Sequence, residues 1–199
     1  MLNNQWNEKY ASPDYYYGKE PNAFFKEEID KLEPGKLLLP AEGEGRNAVY
    51  AAKLGWDVTC LDWSEEGKKK ADKFAEESGV KIDYQVADLF SFEYGEEKYD
   101  AVGLAFVHLP QEMREELHKS VVKSLKKGGK LIFTAYDKTQ LGKTSGGPKD
   151  INLLFSLEQI VEDFIDLDFE IFAKESINLN EGSGHIGLAD VINFAGKKR

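Results

Sequence analysis

Apolar and polar positions alternate in blocks along the 199-residue chain, and the blocks predict an alternation of strands and helices. Pro21 to Leu32 carries Phe25, Ile29 and Leu32 on one helical face, and Gly35 ends the pattern. Leu37 to Leu39 is a short apolar run that predicts a buried strand. The turn AEGEGRN follows, then a helix whose Ala48, Ala51 and Ala52 are spaced to face a sheet. Gly55 suits the stop of that helix, because glycine takes the left-handed conformation that closes a helix. Trp56 to Leu61 is the next strand, ending at Asp62. Ser64 caps a helix that opens with Glu65 and Glu66, the charge sign a helix N-terminus favours, and Gly79 ends it.

The alternation of Ile82, Tyr84 and Val86 predicts a third strand running to Ala87, with Asp88 at its end. Tyr99 to Val107 is a fourth strand, almost continuously apolar, as expected where helices cover both faces of a sheet. Met113, Leu117, Val121 and Leu125 form a helical stripe whose C-terminus falls at Lys126, Lys127 and Gly128. Leu131 to Ala135 is a fifth strand. Tyr136 to Asp150 has little hydrophobic pattern and reads as a mobile loop. Ser156 and Gln159 form a capping box for a helix bearing Leu157, Ile160, Val161 and Phe164. Two strands follow without a helix between them, near Phe169–Ala173 and Ile186–Phe194. The expected fold is α/β: a Rossmann-like, doubly wound, seven-stranded sheet, mostly parallel, with the last strand antiparallel and placed at the edge. One domain over 1–199 is expected, with residues 1–36 forming an arm over the active site.

Composition narrows the functional classes. Lys plus Arg number 26 and Asp plus Glu 36, for a net charge of −10. That balance disfavours phosphate backbones and anionic membranes as partners, so neither nucleic acid nor membrane is expected. Nothing approaches 18 consecutive apolar residues, and the N-terminus lacks a basic start followed by an apolar run. The default location is the cytoplasm, as a monomer or homodimer. The single cysteine, Cys60, excludes an internal disulfide and a multi-cysteine zinc site, and it reads as inert strand core; no metal site is expected.

Chemistry gathers at the predicted carboxyl ends of the strands, where open α/β sheets bind ligands. Gly43 and Gly45 let the backbone pass close under a ligand, and the helix from Arg46 and Asn47 points N–H groups at the same place. Asp62 stands 19 residues after Gly43 and can accept two hydrogen bonds from a ribose diol. Gly43, Gly45 and Ala48 also fit a dinucleotide pattern, but Glu42 and Glu44 would repel a pyrophosphate and favour a cation. Two unit charges 4 Å apart interact by roughly 4 kcal/mol at an effective dielectric near 20. Asp88 suits an adenine amino group, the Leu89 N–H a ring nitrogen, and Trp63 an adenine face. Phe106 ends the fourth strand at the same place.

LLLPAEGEGRNAVYAAKLGWDVTCLDWS resembles motif I and the following acidic strand end of the class I S-adenosylmethionine-dependent methyltransferases. VADLF resembles their adenine motif, and YDAVGLAFVHLP and GGKLIFTAY their fourth and fifth strands. WNEKYASPDYYYGKEPNAFF and NEGSGHIGLADVINFAGKK are similar to the branch that includes tellurite-resistance and thiopurine methyltransferases, so the resemblance spans nearly the whole chain. It implies S-adenosyl-L-methionine as cofactor, S-adenosyl-L-homocysteine as product and methyl transfer to a small molecule, with a thiol or chalcogen acceptor in view. The family's acid before a first glycine is replaced by Leu39 and Ala41, which leaves contact with the methionine amino group to Glu42 or Glu44. Trp6, Tyr15, Tyr16 and Tyr17 are placed to fold over the site, where aromatic faces attract a sulfonium. His108 and His185 are the candidate bases or acceptor-orienting groups. Arg46 either joins the helix N-terminus or pairs with an acid. A non-catalytic protein that senses S-adenosylmethionine or a nucleotide is the alternative.

Overall fold

A computed structural model describes residues 2–199, with side chains from residue 5 onward. Met1, the first residue of the expected arm, lies outside the described residues. The elements in chain order are α1 (Leu2–Tyr10), α2 (Ala23–Ile29), β1 (Lys36–Pro40), α3 (Arg46–Lys53), β2 (Asp57–Asp62), α4 (Glu65–Glu77) and β3 (Asp83–Val86). They continue with β4 (Tyr99–Ala105), α5 (Gln111–Ser124), β5 (Leu125–Tyr136), α6 (Leu157–Asp163), β6 (Leu167–Glu181) and β7 (His185–Lys198). All seven strands join one sheet in the order β3-β2-β1-β4-β5-β7-β6.

The central strands are parallel, with Leu38 opposite Thr59 on one side and Val102 on the other. Because successive side chains of a strand point to opposite faces, β1 feeds two cores. Leu38 packs with Val102, Leu117, Val121, Phe133 and Ile160, under α5 and α6. Leu37 and Leu39 pack with Phe25, Ile29, Ala48, Ala51 and Cys60, under α2 and α3. The small alanines predicted for α3 let that helix lie close to the sheet. Cys60 is fully buried in β2, as expected.

Four expectations change. β7 is antiparallel to both neighbours, but it lies inside the sheet and β6 forms the edge. The β6–β7 hairpin has no crossover helix, so its second strand inserts beside β5 and carries the first outward. The α5 stripe stops earlier than predicted: Leu125 is already extended and pairs with Tyr99, while the Lys126 ammonium reaches Asp100 at 2.7 Å. Val86 does not complete the buried alternation of β3 and is 43% exposed, since only Tyr84 in that strand faces a core.

The segment after β5 is pinned rather than mobile. Gln140 donates to Ser145 Oγ at 2.8 Å and accepts from the Asp190 N–H at 2.9 Å, and both Gln140 and Ser145 are buried. Its glycines serve packing: a Cβ on Gly146, at φ +115°, would lie 2.6 Å from the Tyr136 hydroxyl. The Ser156–Gln159 capping box forms as predicted. Among the described residues, no helix is long and apolar enough to cross a membrane.

Candidate active site

The carboxyl ends of β1, β2 and β4 surround a cavity of about 780 Å3, part of it open to solvent, beneath the aromatic arm. Two residues on its rim have left-handed backbones without being glycine: Ala41 at φ +54° and Phe106 at φ +57°. Such conformations cost roughly 1–2 kcal/mol per residue and persist where the surrounding fold holds them. Here they turn the chain sharply out of β1 and β4 and bring both residues into the lining.

The turn after β1 is built on two carboxylates. Asp62 Oδ2 accepts the Gly43 N–H and Oδ1 the Ser64 N–H, each at 2.9 Å, so β2 holds the glycine turn in place. A carboxylate oxygen accepts more than one hydrogen bond, which leaves Asp62 capacity toward a ligand. Burial raises its pKa, and the backbone N–H bonds oppose that shift. Glu42 Oε1 accepts the N–H groups of Asn47 and Ala48 at 2.8 Å, and burial pushes its pKa up to about 7. The first N–H groups of α3, the usual anion seat at a helix N-terminus, are therefore bonded within the chain.

Glu44 has another task. Its carboxylate accepts the N–H of Tyr16 at 2.7 Å and pairs with Lys70 at 2.7 Å, fastening the arm to α4. It is buried but does not line the cavity, which leaves Glu42 as the nearer of the two glutamates to a cationic ligand. Gly43 and Gly45 shape the turn from behind. A Cβ on Gly43 would lie 2.6 Å from the Tyr10 hydroxyl, and one on Gly45 2.6 Å from Ala71 Cβ. Asp88 is exposed and accepts from the Phe90 N–H, outside the lining.

Tyr15 packs against Phe74 of α4, and neither it nor Tyr16 lines the cavity, whereas the remaining predicted residues meet there. Trp63 and Leu89 form the side expected for adenine, with Phe90 6.4 Å from the Trp63 ring. Trp6 stacks on Tyr10 at 5.6 Å and lies 6.5 Å from Tyr17, forming the aromatic cover. Arg46, Asn47, Phe106, His108 and His185 complete the predicted set in the lining.

The two histidines differ in what they leave free. His108 donates Nδ1–H to the Leu153 carbonyl at 2.8 Å and its Nε2 accepts the Tyr136 N–H at 3.3 Å. Burial brings its pKa down to about 4. Both nitrogens are thus spent on backbone, and the base role expected for His108 does not fit. His185 donates Nδ1–H to Glu181 Oε2 at 2.8 Å. Its Nε2 makes no hydrogen bond among the described residues, and His185 lines the cavity. Burial lowers the His185 pKa, which keeps the ring neutral as a proton acceptor.

Sequence reasoning missed Tyr10 and Glu181. Tyr10 was signalled by Trp6 four residues earlier, the spacing of one helix face. Glu181 holds His185, the Arg46 guanidinium at 3.0 Å and the Asn22 amide at 3.0 Å, and its pKa falls to about 2. It stands four residues before His185 across the hairpin turn, a proximity that only the register of β6 on β7 reveals.

Comparison with known proteins agrees with this geometry. Residues 40–129 match a family described as methyltransferase domain. The chain is 26% identical over 121 residues to the 2-heptyl-1-hydroxyquinolin-4(1H)-one methyltransferase of Mycobacteroides abscessus, covering 59% of this chain and 53% of that protein. It is 23% identical over 188 residues to the probable S-adenosyl-L-methionine-dependent methyltransferase TehB of Haemophilus influenzae, covering 91% and 62%. The crystal structure of Haemophilus influenzae TehB superposes with a TM-score of 0.74 at 19% identity, over 99% of this chain and 67% of that one. The N-methyltransferase NodS of Bradyrhizobium japonicum, in complex with S-adenosyl-L-homocysteine, superposes at 0.71 and 14% identity over 98% and 97%. This chain spans little more than half to three-fifths of the length of the two curated relatives.

The sheet order and the match over residues 40–129 make this chain similar to the class I S-adenosylmethionine-dependent methyltransferases. In sequence and in fold the chain resembles TehB, the direction in which its motifs pointed.

Proposed function

We propose that this chain transfers the methyl group of S-adenosyl-L-methionine to a small molecule. One observation carries the reading: the cavity at the strand ends presents the carboxyl groups of Glu42, half-buried, and Asp62, buried, while its one arginine is already paired with Glu181. That charge pattern suits a ligand with an ammonium and a sulfonium and disfavours a diphosphate.

In this reading Asp62 receives the ribose hydroxyls, and Trp63 with the Leu89 N–H flanks the adenine. Asp88 serves the exocyclic amine from the rim. Glu42, with the turn at Gly43, faces the methionine amino group, while Arg46 and Asn47 hold the walls through Glu181 and Glu42. Trp6, Tyr17 and Phe106 supply aromatic faces near the positive sulfur, a type of contact worth about 0.5–2 kcal/mol. When bound, S-adenosylmethionine supplies a methyl group on a good leaving sulfur, so the protein contributes alignment above all. Orientation of this kind supplies roughly 7–11 kcal/mol in well-placed systems. Thiol, chalcogen and hydroxyl acceptors all remain within this scheme, and the cytoplasm is the proposed location.

Calorimetry with S-adenosylmethionine, S-adenosylhomocysteine and NAD tests it. Both methionine derivatives bind and NAD does not; binding of NAD alone would reject the reading. Asp62→Asn keeps a folded protein and weakens S-adenosylhomocysteine binding about tenfold or more, as expected for a charged hydrogen bond worth roughly 1.5–3 kcal/mol.

A further inference from the structure

We infer that the acceptor is a flat, uncharged molecule bearing a weakly acidic hydroxyl, whose proton is taken by Nε2 of His185, with Glu181 as the positioning residue. The inference rests on the methyltransferase reading above and narrows its substrate.

Three features of the cavity converge on it. The first is the pairing of His185 with Glu181 at 2.8 Å, which assigns the ring proton to Nδ1 and leaves Nε2 as the acceptor of a residue that lines the cavity. A carboxylate behind a histidine also stabilises the imidazolium that forms when the ring takes a proton. Arg46 and Asn22 bond the same carboxylate, so Glu181 is held from three sides. The second feature is the wall around the ring. Tyr17 lies 4.4 Å and Phe106 4.5 Å from His185 between ring centroids, with Tyr136 behind at 5.5 Å. These are aromatic surfaces that favour a planar, apolar body. The third is charge. The lining's one cationic side chain, Arg46, is neutralised by Glu181. Lys9, the other cation near His185, sits over the Trp6 ring at 4.2 Å and outside the lining. An acceptor that enters as a carboxylate finds no free cationic side chain in the lining.

The chemistry selects a hydroxyl among the possible nucleophiles. A thiol ionises near pH 8.5 and needs little help, whereas a phenolic hydroxyl near pKa 10 is almost wholly protonated at neutral pH. A built base is therefore useful to the hydroxyl. As Nε2 takes the hydroxyl proton, the oxygen's freed electron pair bonds the methyl carbon, and the sulfur departs with the former bonding pair as a neutral thioether. The imidazolium then returns the proton to water.

The test uses the full chain and a panel of mono- and bicyclic aryl alcohols, each with its matched aryl thiol and aryl carboxylate, together with tellurite. With S-adenosylhomocysteine bound, calorimetry is expected to show binding of aryl alcohols and none of carboxylates or tellurite. A bound naphthol is expected to ionise at lower pH than free naphthol, read from its absorbance. Glu181→Gln is expected to slow aryl-alcohol methylation about 100-fold or more, within the range of general-base effects, and thiol methylation less than about threefold. It also abolishes the shift in naphthol ionisation. His185→Gln supplies the same comparison if Glu181→Gln does not fold. Equal losses on alcohol and thiol overturn the inference. So does turnover of tellurite or carboxylates, or failure of the whole alcohol panel to bind while S-adenosylhomocysteine binds normally. Failure of S-adenosylhomocysteine itself to bind overturns the methyltransferase reading instead.

Discussion

The carboxylate of Glu42 accepts the backbone N–H of Asn47 at 2.8 Å, so the loop after β1 caps the helix that follows it. The same oxygen takes the Ala48 N–H, and the group is buried deeply enough to hold its pKa near 7, above its ordinary 4.5. A carboxyl raised in the fold binds its proton more tightly there than in the unfolded chain. Its contribution to stability is full at low pH and is lost as pH rises from about 4.5 through 7. The stability difference between the wild type and Glu42→Gln is therefore expected to move against the wild type across that window. Urea unfolding at a series of pH values reads it, and a constant difference would contradict the assignment.

His108 has the opposite sign. It is neutral in the fold with a pKa near 4, against an ordinary value of 6.5. The unfolded chain takes up the proton first on acidification, so stability is lost as pH falls from 6.5 toward 4. His108→Gln removes that loss relative to the wild type in the same unfolding series. Because both His108 nitrogens bond backbone, the variant keeps S-adenosylhomocysteine binding within about tenfold, or roughly 1.4 kcal/mol.

Glu44 is one of the buried points that fasten the arm. Glu44 joins Lys70 of α4 to the N–H groups of Tyr16 and Tyr17, and Lys70 also donates to the Asp14 carbonyl at 2.7 Å. Glu44→Ala leaves Lys70 without its carboxylate and the two N–H groups without an acceptor. Limited proteolysis within residues 5–20 is expected to speed up severalfold while the sheet core stays resistant. S-adenosylhomocysteine affinity falls in parallel, because Trp6, Tyr10 and Tyr17 ride on the released segment. An unchanged digestion rate would show that the arm is held elsewhere.

Gly45 is demanded by both backbone and packing. It sits at φ +86°, and an added Cβ would meet Ala71 Cβ at 2.6 Å and its Cα at 3.0 Å. Gly45→Ala is expected to cost about 2–5 kcal/mol, the sum of a left-handed penalty and overpacking. Gly79, at φ +69° with nothing within 4 Å, is the control: Gly79→Ala pays the backbone term alone, about 1–2 kcal/mol. Thermal or urea unfolding of the pair separates the two terms.

Beneath α5 and α6 a buried ion cluster offers a further check. Asp163 Oδ2 accepts from Arg114 Nε and His118 Nδ1, both at 2.8 Å. Asp163→Ala strands a buried guanidinium and is expected to cost about 3–5 kcal/mol in urea unfolding.

Local rules placed most of what is nearest in sequence. The alanine spacing of α3, the Ser64 and Ser156 caps and the glycine stops at Gly55 and Gly79 each depend on neighbours a few residues away, and each formed as read. Asp62 was legible for the same kind of reason. It ends the strand beside β1, so its 19-residue distance from Gly43 closes into a 2.9 Å hydrogen bond. The site's polar logic was less legible. Glu42 and Glu44 look alike two residues apart, yet one caps a helix at the cavity and the other fastens the arm to α4. His108 and His185 look alike as strand-end histidines, yet backbone takes both nitrogens of one and a carboxylate takes one nitrogen of the other.

Periodicity, capping and turn chemistry thus determined the strands, the helices and the rim of the cavity, because those follow from steric preferences and burial along one stretch of chain. Which side chain became a free acceptor, which cation was neutralised and where the antiparallel strand entered were decided only in three dimensions. Arg46 and Glu181 are separated by 135 positions and meet at 3.0 Å. Such a pairing depends on sheet order and register, and what enforces it is the cost of leaving either charge buried without its partner in the assembled fold, not any local preference.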